Sequence, residues 1–213
     1  MWRPTTLIAD DHAVFVEGLQ RILEGPCKLV GTVTNGLDLM KAGQHLQPEV
    51  IVSDVSMPVI NGIEAVRQLC QRGLRSCVVM LSMHDEKELA TAALRAGASA
   101  YVLKTSASNE LLTAIREALA GRVYVTPAIS HGETYEFEQA HKNPDKEADS
   151  LTTREKEVLQ LVAEGKALKE IAWVLNIAMR TVVFHKTNVM QKVGVRSAAE
   201  LTQYAIKRRL ISV

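Results

Sequence analysis

Apolar runs rich in β-branched residues alternate with amphipathic segments over the first half of the chain. The runs predict strands, and the segments between them repeat apolar residues at helical spacing, as in Ile63, Val66, Leu69 and Cys70. This alternation predicts a doubly wound, five-stranded parallel α/β sheet. The strands are expected near residues 5–10, 29–33, 49–53, 77–82 and 100–104, and the helices near residues 13–24, 36–46, 62–72, 86–96 and 108–121. The predicted helices end at residues suited to C-terminal caps: Gly25, Gly73, Gly97 and Gly121.

The pattern changes twice after residue 125. Residues 126–149 are polar and acidic and lack long apolar runs, so we expect a linker that is at best partly ordered. Helical periodicity then returns in four segments, and a turn at 176–179 joins the second to the third. Two short helices joined in this way predict a helix-turn-helix. We therefore expect an α/β domain at 1–125, a linker at 126–149 and an all-α, four-helix domain at 150–213.

Charge supports this division. The whole chain carries a net charge of +1, but residues 150–213 hold 11 basic and 5 acidic residues, whereas residues 126–149 hold 2 basic and 6 acidic residues. Only the last segment has the positive charge that suits a polyanion such as DNA. With 213 residues, of which 47% are apolar, the chain can bury a modest core in each of two domains.

Cysteine usage and hydropathy bear on the cellular compartment. Cys27, Cys70 and Cys77 show no metal-ligand spacing, and we expect buried thiols in a reducing compartment. The sequence contains no apolar segment long enough for a signal peptide or a membrane span. We therefore expect a cytoplasmic protein with no membrane association.

Acidic residues stand where two of the predicted strands end. An apolar run at 7–9 leads into Asp10 and Asp11, and a run at 50–53 leads into Asp54. The carboxyl ends of parallel strands share one edge of a sheet, so the three carboxylates should meet there, and such a cluster favours a bound cation. Mg²⁺ fits because it prefers oxygen ligands and binds together with phosphate groups. Taken singly, each aspartate is also common as a helix cap.

Two later strands end in polar residues of a different kind. The strand at 78–81 is followed by Ser82, and the strand at 100–103 is followed by Lys104. A hydroxyl and an ammonium group can hydrogen-bond or neutralise a phosphoryl group. Considered alone, Ser82 is also suited to a helix cap, Lys104 to a solvated strand end, and Tyr101 to the core.

Together these residues resemble the receiver domain of two-component response regulators, a flavodoxin-like fold, over about residues 5–122. The resemblance rests on the acidic pair, Asp54 with Met57-Pro58 and Asn61-Gly62, Ser82, and Tyr101 with Lys104. It implies that Asp54 is the phosphoacceptor, that Asp11 and the Ser56 carbonyl bind Mg²⁺ directly, and that Asp10 acts largely through water. It also implies that Lys104 pairs with the phosphoryl group, that Ser82 moves to hydrogen-bond it, and that Tyr101 rotates inward as a switch.

The last segment resembles the LuxR-type DNA-binding domain of the NarL/FixJ subfamily. The resemblance rests on Leu151-Thr152-x-Arg154-Glu155-x-Glu157-Val158-Leu159, Lys169-Glu170-Ile171-Ala172, Thr181-Val182-x-x-His185 and Lys192-Val193-Gly194-Val195. It implies a recognition helix in the DNA major groove and dimer contacts on the fourth helix. The candidates for phosphate contacts are Lys169, Arg180, Thr181, His185 and Lys186, and those for base edges are Val183, Phe184 and Thr187.

The recognition helix departs from the family pattern at its start and on its exposed face. Ala178 stands where a capping serine is common, and Val183 and Phe184 form an apolar pair where a polar residue is common. Apolar side chains contact thymine methyl groups rather than guanine, so a site richer in A·T is expected. An interaction bundle would share the same helical spacing.

These features predict a transcriptional regulator, not an enzyme, that accepts a phosphoryl group from a sensor histidine kinase and binds double-stranded DNA as a homodimer. RNA polymerase is a further candidate partner. Two alternatives stay open: a degenerate receiver controlled by protein or ligand contacts, and a phosphatase that forms an aspartyl-phosphate. The phosphatase would use a second carboxylate two residues after the first, where this chain has Ser56.

Overall fold

A computed structural model describes residues 3–132, 134–142, 151–208 and 210–211. These residues form two compact units, the first made of most of 3–142 and the second made mainly of the residues after 150. The strands of the first unit are β1 (Thr5–Ala9), β2 (Lys28–Val33), β3 (Val50–Asp54), β4 (Cys77–Ser82), β5 (Ala100–Leu103) and β6 (Tyr124–Val125). Its helices are α1 (Ala13–Leu23), α2 (Gly36–Leu46), α3 (Gly62–Gln71), α4 (Lys87–Arg95), α5 (Ala107–Leu119), α6 (Pro127–Ser130) and α7 (Tyr135–Lys142), and a 3-10 turn (Lys104–Ser106) precedes α5.

The strands form one parallel sheet in the order β2-β1-β3-β4-β5-β6. One face carries alternate residues of the strands, such as Val52 and Val102, and packs against α1 and α5. The opposite face packs against α2 and α3, where Ile51 and Leu69 approach Gly43. Burial on both faces explains why the central strands are almost continuously apolar.

The predicted parallel α/β fold is confirmed, with one strand more than expected. β6 has only two residues, too few to leave a periodic pattern in the sequence. It is held by tertiary contacts, because the Thr126 hydroxyl accepts a hydrogen bond from Leu103 N at 3.0 Å and donates one to Glu110 at 2.8 Å. The hydroxyl of Tyr124 donates to the same carboxylate at 3.0 Å.

The expected linker differs from the structure in its first part. Residues that were expected to be at best partly ordered form α6 and α7. Phe137 and Ala140 give α7 a buried face, whereas its acidic residue Glu136 is exposed and Glu138 is half-buried. The polar composition of the segment concealed this narrow apolar stripe. The rest of the predicted linker, 143–149, lies outside the described residues.

The second unit contains the expected four helices: α8 (Thr153–Ala163), α9 (Leu168–Val174), α10 (Met179–Val193) and α11 (Ala198–Lys207). Thr152 caps α8 in a reciprocal capping box with Glu155. Helix α8 contributes residues to both of the buried clusters that hold the four helices together. One joins Leu159 to Val189 and Leu201, and the other joins Val158 and Leu161 to Ile171 and Val182.

Candidate functional site

Register brings the acidic residues to one edge of the sheet. Ala9 pairs with Ser53, so Asp10 and Asp54 follow at the carboxyl ends of adjacent parallel strands. Oxygen atoms of Asp10, Asp11 and Asp54 and a ring nitrogen of His12 all lie within 4.8 Å of one another. The structure therefore brings together the three carboxylates that the sequence places at strand ends.

Lys104 reaches the same cluster from the end of β5. Its Nζ lies 2.8 Å from Asp54 Oδ2 and 2.8 Å from Asp10 Oδ2, and its side chain is only 7% exposed. The ammonium also lies over the Phe15 ring, 4.8 Å from the centroid. One cation is thus shared by two carboxylates and an aromatic face.

Burial and neighbouring charges act in opposite directions on the pKa of the Asp54 carboxyl. Burial raises its pKa to about 6, and this rise is opposed by the charge and hydrogen bond of Lys104. The nearby charge of Asp10 also raises the pKa, and a hydrogen bond from Ser56 N to Asp54 Oδ1, at 3.3 Å, lowers it. Near neutral pH the group is mostly a carboxylate, which is the form that can act as a nucleophile.

The donor set fits a hard divalent cation. Asp10 is fully buried, and its Oδ2 receives no hydrogen bond of good geometry from the described residues, so its contact with Lys104 is an ion pair alone. Asp10 and Asp54 are buried and Asp11 is exposed, and their oxygens, at 4.8 Å or less from one another, are suitable ligands for such a cation.

Two aromatic residues of this site were not predicted from the sequence. His12 Nδ1 lies 3.1 Å from Asp11 Oδ1 and 3.2 Å from Asp10 Oδ1. Phe15 lies on α1 and contacts Lys104. The position of His12 directly after the acidic pair was the only sequence signal for its role, and Phe15 had none beyond its place in an apolar helix face.

The predicted switch residues are linked through one backbone segment. Ser82, at the end of β4, accepts a hydrogen bond from His84 N at 3.0 Å. Tyr101, on β5, is fully buried, and its hydroxyl donates to the carbonyl oxygen of His84 at 2.8 Å, so it already occupies the inward position that the sequence led us to expect only after phosphorylation. Burial raises the pKa of the Tyr101 phenol, so the group stays neutral and remains a donor. Both side chains therefore hold the segment that leads into α4.

Gly62 fixes the position of the strand that carries Asp54. Gly62 N donates to Val55 O at 2.8 Å, and a Cβ at position 62 would lie 1.9 Å from Asp54 O. Helix α3 can therefore start against the end of β3 only because residue 62 has no side chain.

The helical unit exposes the side chains predicted to contact base edges. Val183 and Phe184 are 44% and 60% exposed on α10, and the Phe184 ring packs edge-on against His185 with centroids 5.6 Å apart. Thr187 is exposed, and its hydroxyl donates to Val183 O at 2.9 Å. The recognition helix thus presents a mainly apolar surface.

Basic and polar groups border this apolar surface. Lys169 on α9 and Arg180 at the start of α10 are exposed, and Thr181 and Lys186 are half-buried. Ala178 precedes α10, and no side chain caps this helix terminus. In place of a side-chain cap, the backbone oxygen of Ala178 accepts from Thr181 N at 2.9 Å.

One ion pair joins the recognition helix α10 to α8, and an arginine of α8 contacts the end of α9. Lys192 Nζ donates to Glu155 Oε2 at 2.7 Å, joining α10 to α8. Burial opposes ionisation of Glu155, but hydrogen bonds from Lys192 and Thr152 outweigh it and lower the pKa of that carboxyl. Arg154 bonds Glu157 at 2.6 Å and the Leu175 carbonyl at 3.0 Å, which joins α8 to the end of α9.

Each of the two units matches a known protein family. Residues 6–116 match the response regulator receiver domain, and residues 149–205 match the LuxR family of bacterial regulatory proteins. The chain belongs to the response regulators. It combines a receiver domain with a LuxR-type DNA-binding domain and is a transcription regulator of the NarL/FixJ type.

Several relatives match this chain over nearly its whole length. The oxygen regulatory protein NreC of Staphylococcus carnosus is 34% identical, with 96% of this chain and 98% of NreC covered. The transcriptional regulatory protein DegU of Brevibacillus brevis is 32% identical, with 97% and 94% covered. In a structure of two RcsB dimers bound to two parallel DNAs, RcsB is 25% identical, with 96% and 98% covered and a TM-score of 0.57.

Family membership sets the class of activity of this response regulator. Its relatives are DNA-binding transcription regulators rather than metabolic enzymes. Receiver domains bind Mg²⁺ at the acidic pocket, which corresponds to the cluster of carboxylates described above. Within the residues that the structure describes, none of the helices has the length and apolar character needed to cross a membrane.

Proposed function

We propose that Asp54 accepts a phosphoryl group from a sensor histidine kinase, and that this modification controls binding of a homodimer to promoter DNA. The observation that carries the proposal is the buried Asp54 carboxylate, held 2.8 Å from the Lys104 ammonium within a cluster of acids. Recognition by the kinase, cooperation with RNA polymerase and a cytoplasmic location are further parts of this proposal.

The proposed reaction transfers a phosphoryl group from a histidine nitrogen of the kinase to a carboxylate oxygen of Asp54. A carboxylate oxygen of Asp54 attacks the phosphorus of the phosphohistidine, the new P–O bond forms and the P–N bond breaks, and the released imidazole takes up a proton from water. Lys104 neutralises charge on the phosphoryl oxygens during the transfer. Ser82 then turns its hydroxyl toward a phosphoryl oxygen, while Tyr101 keeps the buried position that it already has.

Mg²⁺ would be held by Asp11, Asp54 and the Ser56 carbonyl, with Asp10 acting through water. When bound, the ion supplies positive charge that offsets the repulsion between these acids and the phosphoryl group. The incomplete hydrogen bonding of Asp10 and the positions of the acidic oxygens support this assignment.

Phosphorylation of the intact protein by acetyl phosphate with Mg²⁺ tests the site. Wild-type protein should acquire one base-labile phosphoryl group, and Asp54→Asn should acquire none because the nucleophile is lost. Asp38→Asn, which changes a carboxylate on α2, serves as the matched control and should label normally. Labelling of the Asp54→Asn protein would reject the assignment, and normal regulation without any labelling would favour the degenerate receiver.

DNA contacts are proposed for the exposed face of α10 and its basic border. Lys169, Arg180, Thr181, His185 and Lys186 would contact phosphates, and Val183, Phe184 and Thr187 would contact base edges. Net positive charge and the exposure of Phe184 and Val183 support this surface.

Selection of bound fragments from random duplex DNA tests binding and regulation together. The intact protein should enrich a two-fold symmetric site, richer in A·T, more strongly with phosphodonor than without it. Because the half-sites of a dimer repeat at about one helical turn, the spacing should be close to 10 base pairs. Absence of any enriched site would favour the interaction bundle.

A further inference from the structure

Lys104 contacts a side chain that the phosphotransfer chemistry does not account for. Its ammonium lies 4.8 Å from the centre of the Phe15 ring while bridging Asp10 and Asp54. Phe15 comes from α1, an element that otherwise contributes core packing to the sheet. An aromatic face attracts a cation through its quadrupole, and most strongly where water is excluded.

The aromatic contact differs from the two ion pairs because it does not depend on the charges of Asp10 and Asp54. Cation binding and phosphorylation both draw on the charges of Asp10 and Asp54, so the carboxylates become weaker partners for Lys104 as the reaction proceeds. The ring has no such competing demand. We propose that Phe15 is a positioning residue that holds the Lys104 ammonium against the phosphoacceptor during phosphoryl transfer, which rests on the proposed role of Asp54.

The test compares Phe15→Leu, which keeps most of the volume, with Phe15→Tyr, which keeps the aromatic face. Phosphorylation by acetyl phosphate at saturating Mg²⁺ should have a maximal rate about 3- to 10-fold lower in Phe15→Leu, as loss of a cation–π contact implies. The apparent Mg²⁺ affinity should stay unchanged, and Phe15→Tyr should restore the rate. Val14→Ala alters the adjacent, 85% exposed residue and should behave as wild type.

A double-mutant cycle with Lys104→Met separates positioning from general packing. In the Lys104→Met background, Phe15→Leu should cause no further loss of rate, because the ring then has no cation to hold. An equal loss in both backgrounds, or a normal rate in the Phe15→Leu protein, would overturn the proposal. Pentafluorophenylalanine at position 15 keeps the ring shape but reverses the quadrupole, and should slow transfer even if the leucine variant folds poorly. Failure of Asp54 to label at all would instead reject the proposed function.

A second inference concerns α7, the helix found where a linker is expected. Phe137 is fully buried in the contact between α7 and α4, and Lys87 lies 5.8 Å from the centre of its ring. Lys87 Nζ also pairs with Glu136 Oε2 at 2.7 Å. At the other end of the helix, His141 Nδ1 lies 2.8 Å from Ala98 O, just beyond α4. Helix α7 is therefore fixed at both ends to the same part of the receiver.

The helix is attached close to the switch residues. Ser82 and Tyr101 both hydrogen-bond to the backbone of His84, and Lys87, three residues later, starts α4 and contacts α7. When the Ser82 hydroxyl turns toward a phosphoryl oxygen, it leaves the position in which it accepts from His84 N. That change loosens the start of α4, where Phe137 and Glu136 dock.

We infer that the α4 surface is a docking site for α7 and that phosphorylation of Asp54 weakens this contact. The inference rests on the proposed phosphorylation site. Because the chain continues from α7 toward the DNA-binding domain, release of the helix would lengthen the connection between the two domains. Coupling of this kind is reciprocal, so weakening the docking of α7 must favour the phosphorylated form.

Hydrogen exchange of the intact protein tests the first half of the inference. Peptides covering 135–142 should exchange several-fold faster in the presence of beryllofluoride and Mg²⁺, a phosphoryl mimic, and should not change in Asp54→Asn. Unchanged or slower exchange of α7 in a wild-type protein that has bound the mimic would overturn the inference. Absence of mimic binding would reject the proposed function instead.

The reciprocal effect is tested on beryllofluoride affinity. Phe137→Ala should tighten binding of the mimic by about 3- to 10-fold, the usual scale of coupling between sites. Tyr135→Ala changes an aromatic residue of the same helix that is 71% exposed, and should have no effect. The pair Lys87→Gln and Glu136→Gln removes the ion pair without a cavity and should act in the same direction as Phe137→Ala. Equal affinity in all these variants would contradict the coupling.

Discussion

At the scale of single residues, burial and charge act in opposite directions on Asp54. The pKa of its carboxyl is raised from 3.8 to about 6 in the folded protein, so the folded state binds this proton more tightly than the unfolded chain does. The associated stability is complete below about pH 4 and is lost as pH rises through about 6. An ionised Asp54 therefore destabilises the fold at neutral pH.

Asp54→Asn should consequently stabilise the protein in alkaline solution. Without divalent cations, the free energy of unfolding of the receiver should rise by about 1 to 3 kcal/mol at pH 8 and stay nearly unchanged at pH 3.5. Urea unfolding at the two pH values measures this difference. Added Mg²⁺ should stabilise the wild type more than the variant. If the variant is less stable than the wild type at pH 8, burial is not the dominant influence on the pKa of Asp54.

Sequence reasoning succeeded for residues whose position follows from strand direction. Asp10, Asp54 and Lys104 all stand at carboxyl ends of parallel strands, so their meeting at one edge depends only on the sheet being parallel. The roles of His12 and Phe15 depend on the rotamers of side chains near the start of α1. No periodic pattern encodes such rotamers, and these two contacts became visible only in three dimensions.

At the scale of elements, the recognition helix begins without a side-chain cap. Thr181 N already donates to the backbone oxygen of residue 178, and a serine hydroxyl there would add a second acceptor for the first turn, so Ala178→Ser should stabilise the start of α10 by about 1 kcal/mol. Slower hydrogen exchange in that turn would show the effect. Ala178→Val adds volume without an acceptor and should not slow the exchange, and equal protection in both variants would contradict the capping argument.

The elements that sequence reasoning missed are those stabilised mainly by contacts distant in sequence. β6 has two residues and depends on hydrogen bonds to β5 and on Glu110 of α5. Helix α7 has eight residues, too few for a strong periodic signal, and its stability depends on burial of Phe137 against α4. The long central strands and α8 to α11, by contrast, were predictable because their apolar patterns are locally complete.

At the scale of the whole molecule, charge is divided between the two halves. The segment 150–213 holds 11 basic and 5 acidic residues within a chain of net charge +1. DNA affinity of the intact protein should therefore fall steeply with salt, because each phosphate contact releases about one bound cation.

Arg180→Ala should weaken DNA binding about equally on all sequences and reduce the slope of log affinity against log salt by about 1. Arg208→Ala provides the matched control, because this arginine lies at the end of α11 beside Tyr204 rather than on the recognition helix. Affinity measured at four salt concentrations distinguishes the two. An unchanged slope in Arg180→Ala would remove this residue from the phosphate-contact set.

The close approach of Gly62 to the Asp54 carbonyl limits which residues this receiver tolerates at the start of α3. A methyl group at that position would occupy the same space as the backbone oxygen, so even alanine would push the strand end that carries Asp54 away from Lys104. In a library that varies every residue of α3, functional survivors should tolerate changes along the outer face of the helix and retain glycine at its first position. The start of one helix thereby constrains the chemistry of a neighbouring strand without contributing a single functional atom.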